Sequence, residues 1–264
     1  MTKQMMVLVA LFVYVLIRSI FIEPNALEVT RYQIPDKQLN GIRVAFLTDF
    51  HLRKRDYKRL DKIVSKTNQQ NPNLVLIGGD FANGHSGNNT MNPDIVAQKL
   101  GLLNAPVYSV LGNHDWWTDG NKISKALKDN NIKVLENSSA RIILKNRYVD
   151  IIGLADLSTR SIDVASAFKR TAVPRLVISH NPDVYYDIID RANMIFAGHT
   201  HGGQFILPFM RPLFVPSKYG AKFASGLMTP EKNQMIISKG LGTSILPIRL
   251  NCKPEIIIVD FVAR

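Results

Sequence analysis

Eight residues of metal-ligand type fall at matching places along the chain: Asp49 and His51, Asp80, Asn113 and His114, His180, and His199 with His201. Each stands at or just after the end of a short apolar run. Five of the six histidines belong to this set, which a random scatter would not produce. Imidazole, carboxylate and amide oxygen without thiolate suit manganese, iron, zinc or related divalent ions, rather than a cysteine-held structural zinc. The set exceeds what one ion needs, and a carboxylate bridging two ions accounts for the surplus. Two-metal sites hold their ions ~3.5–4 Å apart, and phosphate ester cleavage is the chemistry they serve best. Both ions polarise the phosphoryl oxygens, and a water between them becomes hydroxide near neutral pH.

Such residues must be carried by elements whose ends meet. Residues 43–49 (RVAFLTD), 74–80 (LVLIGGD), 107–115 (VYSVLGNHD), 175–180 (RLVISH) and 194–199 (MIFAGH) each read as a short buried strand with a polar end. A helix is expected over 56–70, where Leu60, Ile63 and Val64 lie among charges, and another near 94–103. Residues 133–135, 140–144 and 149–154 read as antiparallel strands with turns at Asn137 and Lys145-Asn146. Residues 162–169 suit a helix, 27–33 an edge strand, and 234–239 and 255–261 closing strands. Strands alternate with helices early and hairpins come late. That pattern predicts a layered α/β protein with one mixed sheet, or two packed sheets covered by helices. Ligands gather at the carboxyl ends of strands in such sheets, so the strand-end loops can converge. Gly78, Gly79, Gly112, Gly198, Gly202 and Gly203 flank the ligand types and let the backbone turn sharply.

Five fragments stand in order: TDFH (48–51), GGD (78–80), GNHD (112–115), SHNP (179–182) and GHTHGGQ (198–204). One alone is weak; five in order at strand ends are specific. From about residue 41 to 204 the chain thereby resembles the calcineurin-like metallophosphoesterases. The likeness continues more loosely through GLGTS (240–244) and PEIIIVDF (254–261), where it is similar to their membrane-linked bacterial branch. The resemblance implies a four-layer α-β-β-α sandwich. It implies that Asp49, His51 and His201 hold one divalent ion, that Asn113, His180 and His199 hold the other, and that Asp80 bridges them. His114 would contact the phosphate and help protonate the leaving oxygen, with Asp115 orienting it through a hydrogen bond. The reaction implied is hydrolysis of a phosphomonoester, phosphodiester or pyrophosphate by a metal-bridging hydroxide, with manganese the expected ion and iron or zinc the alternatives.

The 264 residues are 46% hydrophobic and 20% charged, which excludes disordered and fibrous classes. Residues 5–22 are apolar except for Arg18 and Ser19, near the ~17-residue lower limit for a bilayer span. No small-residue cleavage site follows and no twin arginine precedes. The expected organisation is a membrane-anchor helix over 1–24, inserted in the lipid bilayer through 5–22, and one phosphoesterase domain over 25–264. Without an export signal, the domain is expected to face the cytoplasm at the cell membrane. The net charge of +12 favours phosphate-bearing partners. Tethering favours a lipid-linked substrate: the pyrophosphate of a diacylated UDP-glucosamine precursor of lipid A, which related membrane-associated enzymes cleave, or a phospholipid headgroup ester. A manganese-dependent nuclease is the rival, but no nucleic-acid module is present and no nucleic-acid partner is expected. The intact ligand types and the His114–Asp115 pair weigh against a non-enzymatic membrane scaffold.

Other features have two readings. His85 is expected in a loop at the site mouth, Asp156 in a turn, and Trp116 and Trp117 in packing. Arg53, Lys54, Arg55, Lys58 and Arg59 make either a solvated helix face or a patch that attracts anions. The apolar, Pro-rich segment 205–220 is either tucked against the core or a lip that meets membrane or an acyl chain. Cys252, the single cysteine, excludes an intramolecular disulfide and reads as a packing residue.

Overall fold

The computed structural model describes residues 2–85, 87–229 and 233–263. Two six-stranded mixed sheets face one another. The first has the order β1 (Glu28–Pro35), β12 (Glu255–Val262), β2 (Arg43–Leu47), β3 (Leu74–Ile77), β4 (Val107–Ser109), β5 (Lys133–Val134). The second runs β10 (Gly226–Met228), β11 (Gln234–Ile237), β9 (Met194–Ala197), β8 (Arg175–Ser179), β7 (Arg147–Gly153), β6 (Ser138–Leu144). Strands β2, β3 and β4 are parallel neighbours, as are β7, β8, β9 and β11. Their carboxyl ends therefore fall on common edges.

The alternation of each strand builds the layers. Val44, Phe46, Leu74 and Leu76 of the first sheet meet Leu176, Ile178 and Phe196 of the second in one buried cluster between the sheets. The intervening Ala45, Leu47, Val75 and Ile77 face outward beneath helices α2 (Tyr57–Asn68), α3 (Pro93–Leu100) and α4 (Asn113–Asp129). On the far side Val177, Ile195 and Ile237 pack under the short α5 (Val164–Ala167) and the turns around Tyr185 and Phe223. Both faces of the inner strands are covered, so their sequences are continuously apolar. The result is the four-layer α-β-β-α sandwich. The helix α1 (Lys3–Ile17) buries no residue, and helical turns carry it on to Asn25. Residues 3–25 form one helical stretch long and apolar enough to cross a membrane.

Two expectations need correction, and one strand is new. β4 stops at Ser109, and Asn113, His114 and Asp115 open α4 instead of ending a strand. That helix carries little sequence signal: its first turn belongs to the site, Asp119 breaks its geometry (φ −173°, ψ 80°), and only Ile123, Ala126 and Leu127 give an apolar stripe. β5 does not form an antiparallel unit with β6. It closes the first sheet parallel to β4, and the chain then crosses to the second sheet; a two-residue strand carries no pattern that could reveal its partner. β10 is a further short strand, antiparallel to β11.

Phe46 and Phe196 join the two sheets at a ring separation of 5.3 Å, both fully buried. Phe196→Ala is expected to cost ~3–5 kcal/mol of folding free energy, read from denaturant unfolding of the domain. A loss below about 1 kcal/mol would mean that the sheets do not depend on this contact.

Candidate metal centre

Asp49 and His51 follow β2, Asp80 follows β3, and Asn113 and His114 start the helix after β4. His180 follows β8, and His199 and His201 follow β9. Five of these residues, Asp49, His51, Asp80, His199 and His201, take left-handed backbone conformations with φ between 42° and 71°. Each such residue costs on the order of 1–3 kcal/mol and persists only where its surroundings enforce it. Backbone bonds supply that enforcement: Asp49 N–H donates to Gly79 O (2.9 Å) and His51 N–H to Asp80 O (3.0 Å). The second sheet joins in where His199 N–H donates to the Asp49 carboxylate (3.1 Å).

The side chains meet in two groups that share one oxygen. Asp49 Oδ1 lies 3.5 Å from His201 Nε2, which lies 3.0 Å from His51 Nε2. His51 Nε2 is 3.5 Å from Asp80 Oδ2, and the same Asp80 oxygen is 3.3 Å from His180 Nε2. His180 Nε2 in turn lies 3.0 Å from Asn113 Oδ1 and 3.2 Å from His199 Nδ1. Two nitrogens each ~2.1 Å from a common ion stand about 3 Å apart. The spacing of His51 and His201 therefore fits a divalent ion, and the second group fits another.

Charge gives the same answer. Asp49 and Asp80 are buried, and among the described residues their ion pairs run only to histidines. Burial pushes His51 and His199 down to about 3 and drives His201 well below its usual value, so these imidazoles are neutral, the state that ligates metal. Burial also pushes His180 down, but the Asp80 carboxylate outweighs it and holds His180 well above the ordinary range. Burial opposes ionisation of Asp80 in turn, and the charge and hydrogen bond of His180 hold it well below the usual carboxylate range. Burial lifts Asp49 to about 6. A buried carboxylate balanced by a histidine proton is a place where a divalent cation can displace that proton.

Asp115 departs from its expected role. Its carboxylate accepts from the N–H groups of Asp80 (2.8 Å), Ala82 (2.9 Å) and Gly112 (3.0 Å). It therefore braces the loop after β3 and caps α4, and these bonds run to backbone N–H groups rather than to the His114 ring. Burial, reinforced by the charge of Asp80, pushes its carboxyl up to about 7. The partner of His114 Nδ1 is the Gly84 carbonyl, at 2.8 Å. His114 Nε2 lies 3.5 Å from Ser244 Oγ, where both side chains line a cleft of about 410 Å³ above the ligand groups.

His85 and Trp117 form one wall of this cleft, stacked at 4.4 Å, and both contact the His114 ring. Trp116 packs instead, beneath the Arg160 guanidinium at 4.3 Å. No Lys or Arg lines the cleft among the described residues. Arg53 and Arg59 turn out to be braces: Arg53 donates to Thr243 Oγ1, and Arg59 to the carbonyls of Phe50, His51 and Leu241. Asp156 is buried in its turn, accepting from Ser158 N–H and Thr159 Oγ1. Sequence reading missed Trp117, Gln204 and Ser244 as cleft residues; the last two stood inside the GHTHGGQ and GLGTS fragments and were the ones a signal could have found.

Two facing mixed sheets with side chains that could hold metal clustered at their strand ends are the architecture of a layered metalloprotein. The chain belongs to the calcineurin-like phosphoesterases, whose sequence profile matches residues 42–203, more than half of it. It is a metal-dependent phosphoester hydrolase. Phosphodiesterase YaeI of Escherichia coli is 29% identical over 92% of this chain and 91% of its own length. A UDP-2,3-diacylglucosamine pyrophosphatase, LpxG of Chlamydia muridarum, is 27% identical over 90% of each chain. Among solved structures, TT1561 of Thermus thermophilus superposes with a TM-score of 0.50 at 7% identity, covering 76% of this chain and 91% of its own, which bears on fold alone.

Gly112 sits where these groups crowd together. A Cβ there would lie 2.2 Å from Asp80 Oδ1 and 2.7 Å from the His180 ring. Gly112→Ala is expected to fold yet bind fewer than the wild-type number of divalent ions, counted by atomic emission after gel filtration. An unchanged metal count would show that the ligand groups do not need this close approach.

Proposed function

We propose that this chain is a membrane-anchored phosphoesterase that uses two divalent ions to hydrolyse a phosphoester or pyrophosphate bond of a lipid-linked substrate. The observation that carries the reading is the single Asp80 oxygen lying between two ligand groups drawn from both sheets. Asp49, His51 and His201 would hold one ion, Asn113, His180 and His199 the other, with Asp80 between them. The ions, manganese first and iron or zinc as alternatives, would supply Lewis acidity toward phosphoryl oxygens and acidify a water molecule. His114 presents Nε2 to the cleft while the Gly84 carbonyl fixes its ring, which suits proton donation to the leaving oxygen. The N-terminus of α4, where His114 lies, adds a favourable field for the phosphoryl charge. Asp115 would hold the ligand loops in register through its bonds from Asp80 N–H and Ala82 N–H.

Residues 1–24 would be the anchor and 25–264 the catalytic domain, placed at the cell membrane and facing the cytoplasm. The exposed apolar helix at 3–25 supports the anchor, and the likeness to a pyrophosphatase of a diacylated nucleotide sugar supports a lipid-linked substrate. A nuclease would need cationic side chains to neutralise successive phosphates. The apolar rim of the cleft, with Phe205, Phe214 and Ile248, suits acyl chains better.

The test is hydrolysis of bis-p-nitrophenyl phosphate by metal-stripped chain with manganese, iron, zinc or magnesium restored. Asp80→Asn should lower the rate by ~100-fold or more and His114→Ala by ~100- to 10,000-fold, the latter with metal content kept. Full turnover by Asp80→Asn would overturn the two-ion reading. Diacylated UDP-glucosamine and phospholipids, presented in vesicles, then separate pyrophosphate from headgroup-ester cleavage.

A further inference from the structure

Two loops at the mouth of the cleft expose large apolar side chains together. Loop 207–214 presents Phe209, Met210, Leu213 and Phe214, and loop 244–248 presents Ile245 and Leu246. Phe209 is wholly exposed and its backbone is left-handed (φ 63°), a costly conformation for an aromatic residue with no packing to offset it. Single exposed apolar residues are ordinary, whereas a contiguous group marks a surface that binds something.

Hydrogen bonds tie these loops to each other and to the foot of the N-terminal helix. The Gln204 carboxamide donates to the carbonyls of Ser244 and Leu246 (3.1 Å each) and accepts from Ser244 N–H (2.7 Å). Ile206 N–H donates to Leu250 O (2.9 Å), and Asn251 Nδ2 donates to Ile206 O (2.8 Å). The same stretch grips the helix: Arg249 N–H donates to Ser19 O (2.9 Å), Arg18 to Asn251 Oδ1 (3.0 Å), and Cys252 N–H to Glu23 Oε1 (2.5 Å). Three residues of extended chain span at most ~10 Å, so Phe209 stays close to Ile206 and thus to the foot of the helix. Exposed Arg211 adds a cation to the same loop, which suits anionic headgroups.

We infer that the tips of loops 207–214 and 244–248 dock in the lipid bilayer beside the point where the N-terminal helix leaves it, so that the metal cleft opens onto the membrane surface. This rests on the membrane-anchored reading above. The continuity of the two tips with the foot of an exposed apolar helix is what selects lipid as the occupant. Phe214, Ile245 and Leu246 also line the cleft, so docking would place the cleft mouth against lipid. A lipid could then present its phosphate to the ligand groups while its acyl chains stay in the apolar phase.

The experiment is site-directed spin labelling of the full chain in vesicles of phosphatidylethanolamine and phosphatidylglycerol. Cys252 is buried, so the wild-type chain serves as the unlabelled blank. Nitroxides at Val9→Cys, Phe209→Cys, Leu213→Cys and Tyr148→Cys are compared by collision with oxygen and with a water-soluble nickel chelate. Tyr148 is exposed beside the β6–β7 turn in the second sheet and reports the aqueous baseline. The expected result is a severalfold higher oxygen-to-nickel ratio at 209 and 213 than at 148, with position 9 deeper still. Baseline values at 209 and 213 with a deep position 9 would overturn the docking and leave the anchor standing. Baseline values at position 9 as well would overturn the anchor itself. Low access to both reagents at 209 and 213 would mean contact with protein, and would overturn lipid as the occupant.

Discussion

Asp80 is buried at the seam between two sheets, and one of its oxygens lies within 3.5 Å of a histidine from each. A carboxylate there is costly unless positive charge sits beside it, because low-dielectric burial penalises the ion and no Lys or Arg approaches within ion-pair distance among the described residues. The surrounding architecture follows from this constraint. Parallel strands bring their carboxyl ends to one edge in each sheet, Phe46 and Phe196 fix how the sheets meet, and left-handed residues aim the ligand groups inward. His114 N–H completes the arrangement by donating to Asp80 Oδ1 at 2.9 Å, so the start of α4 is tied to the same carboxylate.

A second buried charge joins the site to the N-terminal helix. Arg249 is fully buried, and its guanidinium donates to the carbonyls of Lys239, Gly242 and Cys252 at 2.7–2.9 Å. Carbonyl dipoles take the place of a carboxylate partner, which lets an arginine persist in the interior. The loop it organises returns to the metal side, where Gly242 N–H donates to Asp49 O at 2.7 Å. Its own N–H meets Ser19, at the end of the apolar helix. One residue, through its main chain and its guanidinium, thus couples the geometry of the proposed anchor to that of a candidate ligand, Asp49.

The strand-end motifs could be read along the chain because a buried inner strand must be apolar throughout, and the first polar residue after it is conspicuous. Asp49, Asp80, His180, His199 and His201 all stood out in this way. Asp115 was misread in its contacts, because neighbours in sequence on the first turn of a helix point in different directions. Its carboxylate bonds backbone N–H groups after β3, and His114 finds the Gly84 carbonyl instead. Trp117 looked like packing, yet it stacks on His85 over the cleft. Nothing local separates it from Trp116, which packs under Arg160.

By itself the sequence determined the residue types of the site, the alternation that makes two-sided strands, and an N-terminal helix too apolar to be mistaken for surface. These are properties of short windows, in which hydrophobic periodicity and side-chain chemistry are already complete. Tertiary structure alone decided which oxygen of Asp80 faces both ligand groups, that β5 joins the first sheet while β6 joins the second, and that loops 207–214 and 244–248 meet at the foot of the helix. Those outcomes depend on contacts between residues up to more than a hundred positions apart, such as the 150 that separate His51 from His201. No local pattern encodes such pairings; packing of the two sheets against each other does.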